Sequence, residues 1–398
     1  MLPSRLSSFP RAQDGGDNSS LHVLTLTPFY PSQRDEAAGC FVAEPLGPLA
    51  SLGILNSVFA VSPVYRASPA HASAPASRSI RYFPLPGKWG LSSAGRLLFW
   101  KIVRNVRELH RRRPIQLIHA HAALPCGHAA ALLSREIGIP FVVSVHGLDA
   151  FSVRQAGEYA GHRCREVSLH VYQSARCVIC VSEHVQEQVL QGSPQSKTAV
   201  VYNGVDPALF SPESNSGKTL RIVSVGDLIP TKGHAMLLRA IGRVAREFPF
   251  LECTVVGEGP EHSRLLSLSN ELMLNGRVRL LGRQGRREIA DLLKTAAVFA
   301  LPSIYEGLGC VYLEAMACGK ATVACRGQGI EEVIQHGRDG WLVGPDNLEE
   351  LTQGLSLLLQ DQQLRERIGS QARATILCGF TLEHQARHLL NIYQQCAL

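Results

Sequence analysis

Short apolar runs rich in β-branched residues recur along the chain, separated by longer stretches in which apolar residues return every three or four positions. This alternation reads as βαβ units on parallel sheets. A first set of strands is expected at 21–27, 117–120, 141–145 and 177–181, the last preceded by a helix through Leu169. The pattern halts at Asn203-Gly204-Val205-Asp206-Pro207, and turn chemistry continues from Ser211 to Gly217. A second set follows at 221–225, 251–257, 278–281, 298–301 and 321–324. The expected organisation is a flexible tail (1–20), an α/β domain (21–204), a linker (205–219), a second α/β domain (220–378) and a closing helical segment (379–398) free to cross back to the first domain. Open α/β sheets bind ligands at the carboxyl ends of their strands, so the site is expected in the cleft between the domains.

Composition narrows the class. With 45% hydrophobic and 18% charged residues in 398, the chain is globular rather than disordered. No run of about 18 apolar residues is uninterrupted, so any membrane contact is expected to be peripheral. Eleven cysteines are scattered without a secretory apolar segment before them, which fits a reducing cytoplasm better than a disulfide framework. Cys177-x-x-Cys180 has no second pair and reads as core packing, and His119, His121, Cys126 and His128 read as cleft-lining or structural side chains rather than a metal cage.

The net charge of +7 is unevenly placed. Residues 1–205 carry 20 basic and 12 acidic side chains (+8), and the rest carry 20 and 21 (−1). Between Arg66 and Arg113 eleven basic residues face one acid, Glu108, among Leu91, Leu97, Leu98, Phe99, Trp100, Ile102 and Val103. This stretch fits a solvated helix face, a basic amphipathic segment on an anionic membrane, or a site for another acidic partner.

Three loops carry candidate chemistry. In Leu301-Pro302-Ser303-Ile304-Tyr305-Glu306-Gly307-Leu308-Gly309 a strand ends and a helix begins near Gly309, so free amides and the helix dipole favour a diphosphate there. Glu306 and Glu314 are acceptor-only carboxylates suited to hydroxyls. In Gly226-Asp227-Leu228-Ile229-Pro230-Thr231-Lys232-Gly233, Lys232 would enter the same cleft as a point charge for phosphate. In Ser144-Val145-His146-Gly147-Leu148-Asp149, the glycine leaves the imidazole room to face a substrate, while Asp149 suits an acceptor hydroxyl or a helix N-cap equally.

From about Leu21 to its C-terminus the chain resembles glycosyltransferase family 4, retaining nucleotide-sugar enzymes of GT-B fold. The motif E-x7-E is present as Glu306 and Glu314 within P-S-x-x-E-G-L-G-x-x-x-L-E-A-M-A-C-G. His146-Gly147, Val201-Tyr202-Asn203-Gly204-Val205-Asp206 with Phe210, Val256-Gly257-Glu258-Gly259-Pro260, Leu281-Gly282 and Gly337-x-x-Gly340 before Trp341-Leu342-Val343 agree as well. The resemblance implies two Rossmann-like domains with doubly wound parallel sheets facing across a cleft, the first for acceptor and the second for donor. It implies that Glu306 holds donor-sugar hydroxyls, that Gly307, Leu308 and Gly309 offer amides to the sugar and diphosphate, and that Glu314 holds the ribose. Lys232 would neutralise the leaving diphosphate, with Gly226 beside it, His146 would lie beneath the anomeric centre, and Arg283 would fall in the base-contacting loop.

Two departures stand out. Asp227 occupies a position where the family often has an arginine that aids Lys232; a carboxylate cannot donate to phosphate and repels it. The first-strand loop lacks the common glycine pair, leaving Gly39, with His121 and Asp149, as acceptor-side candidates. No D-x-D occurs, and the resemblance implies transfer without metal or cofactor.

The resulting expectation is a metal-independent, retaining hexosyltransferase acting from a nucleoside-diphosphate sugar, such as a UDP-sugar, onto a saccharide or lipid-linked acceptor in polysaccharide, cell-envelope or glycolipid biosynthesis. It would be cytoplasmic, peripheral on the inner membrane face, with no nucleic-acid partner. The alternatives are a non-catalytic glycosyltransferase-like subunit and a GT-B phosphorylase or epimerase.

Overall fold

The computed structural model describes residues 20–32, 35–65, 77–84, 88–147, 149, 159–213 and 220–397. Nearly all of the expected tail, Arg66 and the end of the expected linker lie outside them.

Seven parallel strands form the N-terminal sheet: β1 (His22–Thr27), β2 (Leu55–Pro63), β3 (Ser77–Tyr82), β4 (Leu117–His121), β5 (Phe141–Val145), β6 (Cys177–Cys180) and β7 (Thr198–Val200), in the order β3-β2-β1-β4-β5-β6-β7. The C-terminal sheet holds six: β8 (Arg221–Val225), β9 (Glu252–Val256), β10 (Val278–Leu280), β11 (Val298–Ala300), β12 (Ala321–Cys325) and β13 (Trp341–Val343), in the order β10-β9-β8-β11-β12-β13. Every pairing is parallel, which requires helical crossovers covering both faces. β1, β4 and β5 are fully buried, as such a sheet demands. Strand order reverses between β1 and β4 in one domain and between β8 and β11 in the other, and at these switch points the loops diverge to leave a crevice. Of the strands not named from sequence, β3, β7 and β13 are edge strands, whereas β2 lies inside its sheet between β3 and β1 with residues 58–62 buried. β3 alternates exposed Arg78, Ser79 and Arg81 with buried Ile80 and Tyr82, and β7 and β13 are only three residues long.

The chain passes between domains twice, and the two passages pair. Val205 N–H donates to Phe380 O at 3.0 Å and Leu382 N–H to Val205 O at 3.1 Å. The helix Leu382–Cys396 then lies on the N-terminal sheet, where Ala386, Leu389 and Tyr393 pack with Val23, Leu117, Val142 and Ile179.

The larger part of the basic stretch forms the helix Lys88–Arg112, and its apolar residues are used differently from a membrane-facing stripe. Leu98, Phe99, Ile102 and Val103 are buried in the core, leaving Leu97 and the 70%-exposed Trp100 among the outward Arg96, Lys101 and Arg104. Among the described residues no helix is long and apolar enough to cross a membrane.

Candidate active site in the interdomain cleft

The donor-side chemistry sits on two loops tied together. After β8 the chain turns through Pro230–Lys232 and enters the helix His234–Val244; after β11 it runs through 301–309 into the helix Cys310–Ala317. Thr231 O accepts from Ile304 N at 2.8 Å and Ser303 Oγ at 2.9 Å. Gly233, at φ 72°, leaves room for Pro302 O, which a Cβ would meet at 2.0 Å. Gln328 clamps the second loop by accepting from Glu306 N (2.9 Å) and donating to Ile304 O (2.9 Å). The outcome is a Lys232 Nζ–Glu306 ion pair, with side chains 20% and 11% exposed. Gly226 lies beside it: a Cβ there would stand 3.7 Å from Lys232 Cδ. Asp227 is exposed and joins no ion pair among the described residues; Lys232 turns to Glu306 instead.

Facing these loops, His146 follows β5. Its Nε2 lies 3.1 Å from His121 Nδ1, the two rings stack with centroids 5.3 Å apart, and Phe41 covers the imidazole at 4.6 Å. Among the described residues the buried His146 Nδ1 has no partner. Behind it, His119 bonds Ser144 Oγ and Tyr393 OH, both at 2.7 Å. Burial pushes His146 and His119 down to about 3 and lowers His121 as well, so the cluster is neutral near pH 7. Asp149 Oδ1 accepts from His146 N at 2.8 Å, and burial pushes this carboxyl up to about 6. The side chain thus braces the His146 loop.

The two halves touch through glycines. A Cβ on Gly307 would meet His146 O at 2.1 Å, and Ser182 Oγ donates to Gly307 O at 2.6 Å. Gly307 and Gly309, expected to admit diphosphate oxygens, also make room for protein atoms: a Cβ on Gly307 would meet the opposite domain's backbone, and Gly309, at φ 83°, clears the Tyr312 ring. Leu308 is buried in the core, which anchors the loop. Gly39, at φ 72°, packs on the Phe29 and Tyr30 backbone, so local packing accounts for this glycine without a ligand.

Glu314 is 4% exposed and pairs with Arg286 Nη1. Arg286 also donates through Nε and Nη2 to the two oxygens of Glu44, in the other domain, at 2.9 and 3.0 Å. Burial alone would favour the neutral guanidine, but the Glu314 and Glu44 carboxylates outweigh it and keep the guanidinium charged. Arg283 pairs with Asp35 across the cleft and lies 3.6 Å from Glu258. Further round, Glu332 accepts from the N–H groups of Glu183 and His184, both at 2.7 Å, and from Tyr202 OH at 2.9 Å. The cleft is therefore closed by polar contacts along its length. Among the described residues no three His, Cys, Asp or Glu side chains converge to hold a metal ion.

Comparison with known proteins decides the family. The model for "Glycosyl transferases group 1" matches residues 207–375, and that for "Glycosyltransferase Family 4" matches 49–209. The chain belongs to the group 1 glycosyltransferases. Relatives include an uncharacterized glycosyltransferase of Methanocaldococcus jannaschii, 28% identical over 69% of this chain and 73% of its own. The alpha-maltose-1-phosphate synthase of Mycolicibacterium smegmatis is also 28% identical, over 70% and 79%. Among solved structures, sucrose-phosphate synthase from Thermosynechococcus elongatus superposes with a TM-score of 0.77 at 23% identity, covering 94% of this chain and 98% of its own. Anabaena HepE in complex with UDP and glucose gives 0.74 at 22%, covering 94% and 100%. The fold of this glycosyltransferase is thus GT-B, with the Lys232–Glu306 pair on one side of the cleft and the His146 backbone packed against the adjoining Gly307 from the other.

Arg286, Glu44, Tyr393 and Glu332 escaped sequence reasoning. Only Arg286 left a local signal: Arg286-Arg287 opens a helix, where the dipole disfavours cations. The other three are ordinary residues on distant elements that become informative only when the domains meet.

Proposed function

We propose that this protein transfers a hexose-type sugar, with retention of configuration, from a nucleoside-diphosphate sugar to an acceptor hydroxyl. The observation that carries the reading is the Lys232–Glu306 pair, held at the switch point of the C-terminal sheet with the His146 loop packed against the adjoining Gly307. HepE structures in complex with UDP and UDP-glucose support a uridine nucleotide as donor.

An ammonium has three donors, so Lys232 can keep Glu306 and still donate to the leaving diphosphate, joined by the 307–309 amides and the following helix dipole. Glu306 accepts from sugar hydroxyls and Glu314 from the ribose. The C1–O bond to diphosphate breaks and a new C1–O bond forms to the acceptor oxygen on the same face, while the acceptor's proton passes to the departing diphosphate. Neutral His146 beneath the anomeric carbon contacts the sugar without adding positive charge against the developing oxocarbenium. The field of Lys232 and the amides is proposed to suffice without metal or another cofactor.

The acceptor is proposed to be a saccharide or lipid-linked saccharide in polysaccharide, cell-envelope or glycolipid synthesis, taken at the cytoplasmic membrane face. Arg96, Lys101 and Arg104 flanking the exposed Trp100 support a peripheral contact with anionic lipid. The deciding experiment incubates the protein with UDP-, GDP- and ADP-sugars and follows donor hydrolysis. One nucleotide class should be consumed by the wild type and spared by Glu306→Ala and Lys232→Ala. Folded wild-type protein that consumes none, or variants that match it, would refute the site.

A further inference from the structure

We propose that Arg286 is a positioning residue for the donor's ribose: its guanidinium occupies one oxygen of Glu314, leaves the other for a ribose hydroxyl, and is itself fixed by Glu44 from the opposite domain. This rests on the reading of Glu314 as the ribose acceptor.

Glu314 Oε1 is taken by Arg286 Nη1, and Oε2 accepts from no described residue. The guanidinium has little freedom, being 9% exposed, with Cζ 4.8 Å from the Phe210 ring centroid and Nε and Nη2 engaged by both oxygens of Glu44. A two-point fork of this kind fixes the guanidinium plane, which is what aims Nη1 at Glu314. Lysine has no fork and could serve only one carboxylate well.

Arg286 also stands where its helix disfavours a cation, at the first residue of Arg286–Thr295, so the two carboxylates rather than the helix hold it there. Formal charges of the trio sum to −1. The surplus suits hydroxyl donors and repels phosphate, which leaves the diphosphate to Lys232. Because Glu44 belongs to the N-terminal domain, opening the cleft removes half of what orients Arg286. Ribose recognition is thereby linked to closure.

The test compares calorimetric affinities for whichever of UDP, GDP or ADP the wild type binds best and for its 2′-deoxy and 3′-deoxy counterparts. Wild type, Glu314→Gln, Arg286→Ala, Arg286→Lys and Glu44→Gln are measured, with thermal melts as a fold check. The wild type should prefer the ribonucleotide about tenfold or more, as a charge-assisted hydrogen bond warrants. Both Arg286 variants should bring that preference within about threefold while deoxynucleotide affinity changes little, and Glu44→Gln should fall between. A general structural defect would weaken all ligands together and leave the ratio intact. Full preference in the Arg286 variants, with preference lost in Glu314→Gln, overturns the role of Arg286 alone. No preference in the wild type, or full preference in Glu314→Gln, overturns the ribose reading itself. Should Arg286→Ala fail to fold, full preference in both Arg286→Lys and Glu44→Gln overturns the inference.

Discussion

Replacing Lys232 by methionine separates what the Lys232–Glu306 pair does for the fold from what it does for the reaction. The side chains are 20% and 11% exposed, so the pair is mostly shielded. Removing the ammonium strands a carboxylate; discounted for residual exposure, the cost is about 1–3 kcal/mol, or a few degrees of melting temperature per kcal/mol. Adding Glu306→Gln removes the stranded charge and should recover most of the stability. Turnover should behave differently. A unit charge near 4 Å from a diphosphate oxygen, at the effective dielectric of a partly buried site, is worth about 4 kcal/mol, and losing part of it costs roughly 10²–10³-fold in kcat. Steady-state transfer or donor hydrolysis beside calorimetric melting reads both quantities. Lys232→Met should be unstable and slow, and the double variant stable and slow. Turnover that recovers with melting temperature in the double variant, or a single variant losing less than about tenfold, would refute the catalytic assignment.

Three further outcomes are expected. Gly307→Ala places a Cβ 2.1 Å from His146 O, a backbone contact with no flexible side chain to yield, so the cleft cannot seat; kcat should fall roughly 10²-fold with larger radius of gyration by small-angle scattering, and unchanged values of both would reject the contact. Stability should decline as pH falls from about 6.5 toward 3, because unfolding lets His119 and His146 take up protons they refuse when folded; each contributes up to about 1.4 kcal/mol per pH unit, partly opposed by Asp149, whose folded carboxyl binds its proton near 6. A His119→Phe variant with the wild-type slope in denaturant melts across that window would disprove this. Liposomes with anionic lipid should co-sediment the protein and neutral ones should not, with Lys101→Glu/Arg104→Glu weakening binding roughly tenfold or more; equal behaviour on both lipids returns the helix to an ordinary solvated face.

Much of the fold was legible because a parallel sheet buries both faces of its strands. β1, β4, β5, β8, β9, β11 and β12 each present an apolar run that no helix period explains. Edge strands obey weaker rules: Ser77–Tyr82 needs only Ile80 and Tyr82 buried, too little for a pattern to register. The helix Lys88–Arg112 shows the opposite hazard. Its apolar stripe was visible, but whether core or membrane receives it depends on which sheet face lies below, and Leu98 and Ile102 pack into the core.

Glycines mark where the site was half legible. Gly307 and Gly309 were recognisable as places where something approaches the backbone, and a bound diphosphate was the natural candidate there. The structure shows that the other domain's His146 carbonyl also approaches Gly307. A glycine reports only that a Cβ is forbidden, and in a two-domain enzyme the forbidding atom can come from ligand or partner domain alike. Charged residues divide the same way. Lys232 and Glu306 lie on adjoining loops of one domain, so their partnership was inferable from a shared sheet edge. Arg286 and Glu44 lie 242 positions apart on opposite domains, and their partnership exists only with the cleft closed. Arg286 nevertheless broke a local rule at a helix start, whereas the exposed Asp227, which joins no ion pair among the described residues, shows that a broken pattern does not by itself mark a partnership. Burial separates the two: a misplaced charge held out of water needs a compensating partner, while one left in water needs none.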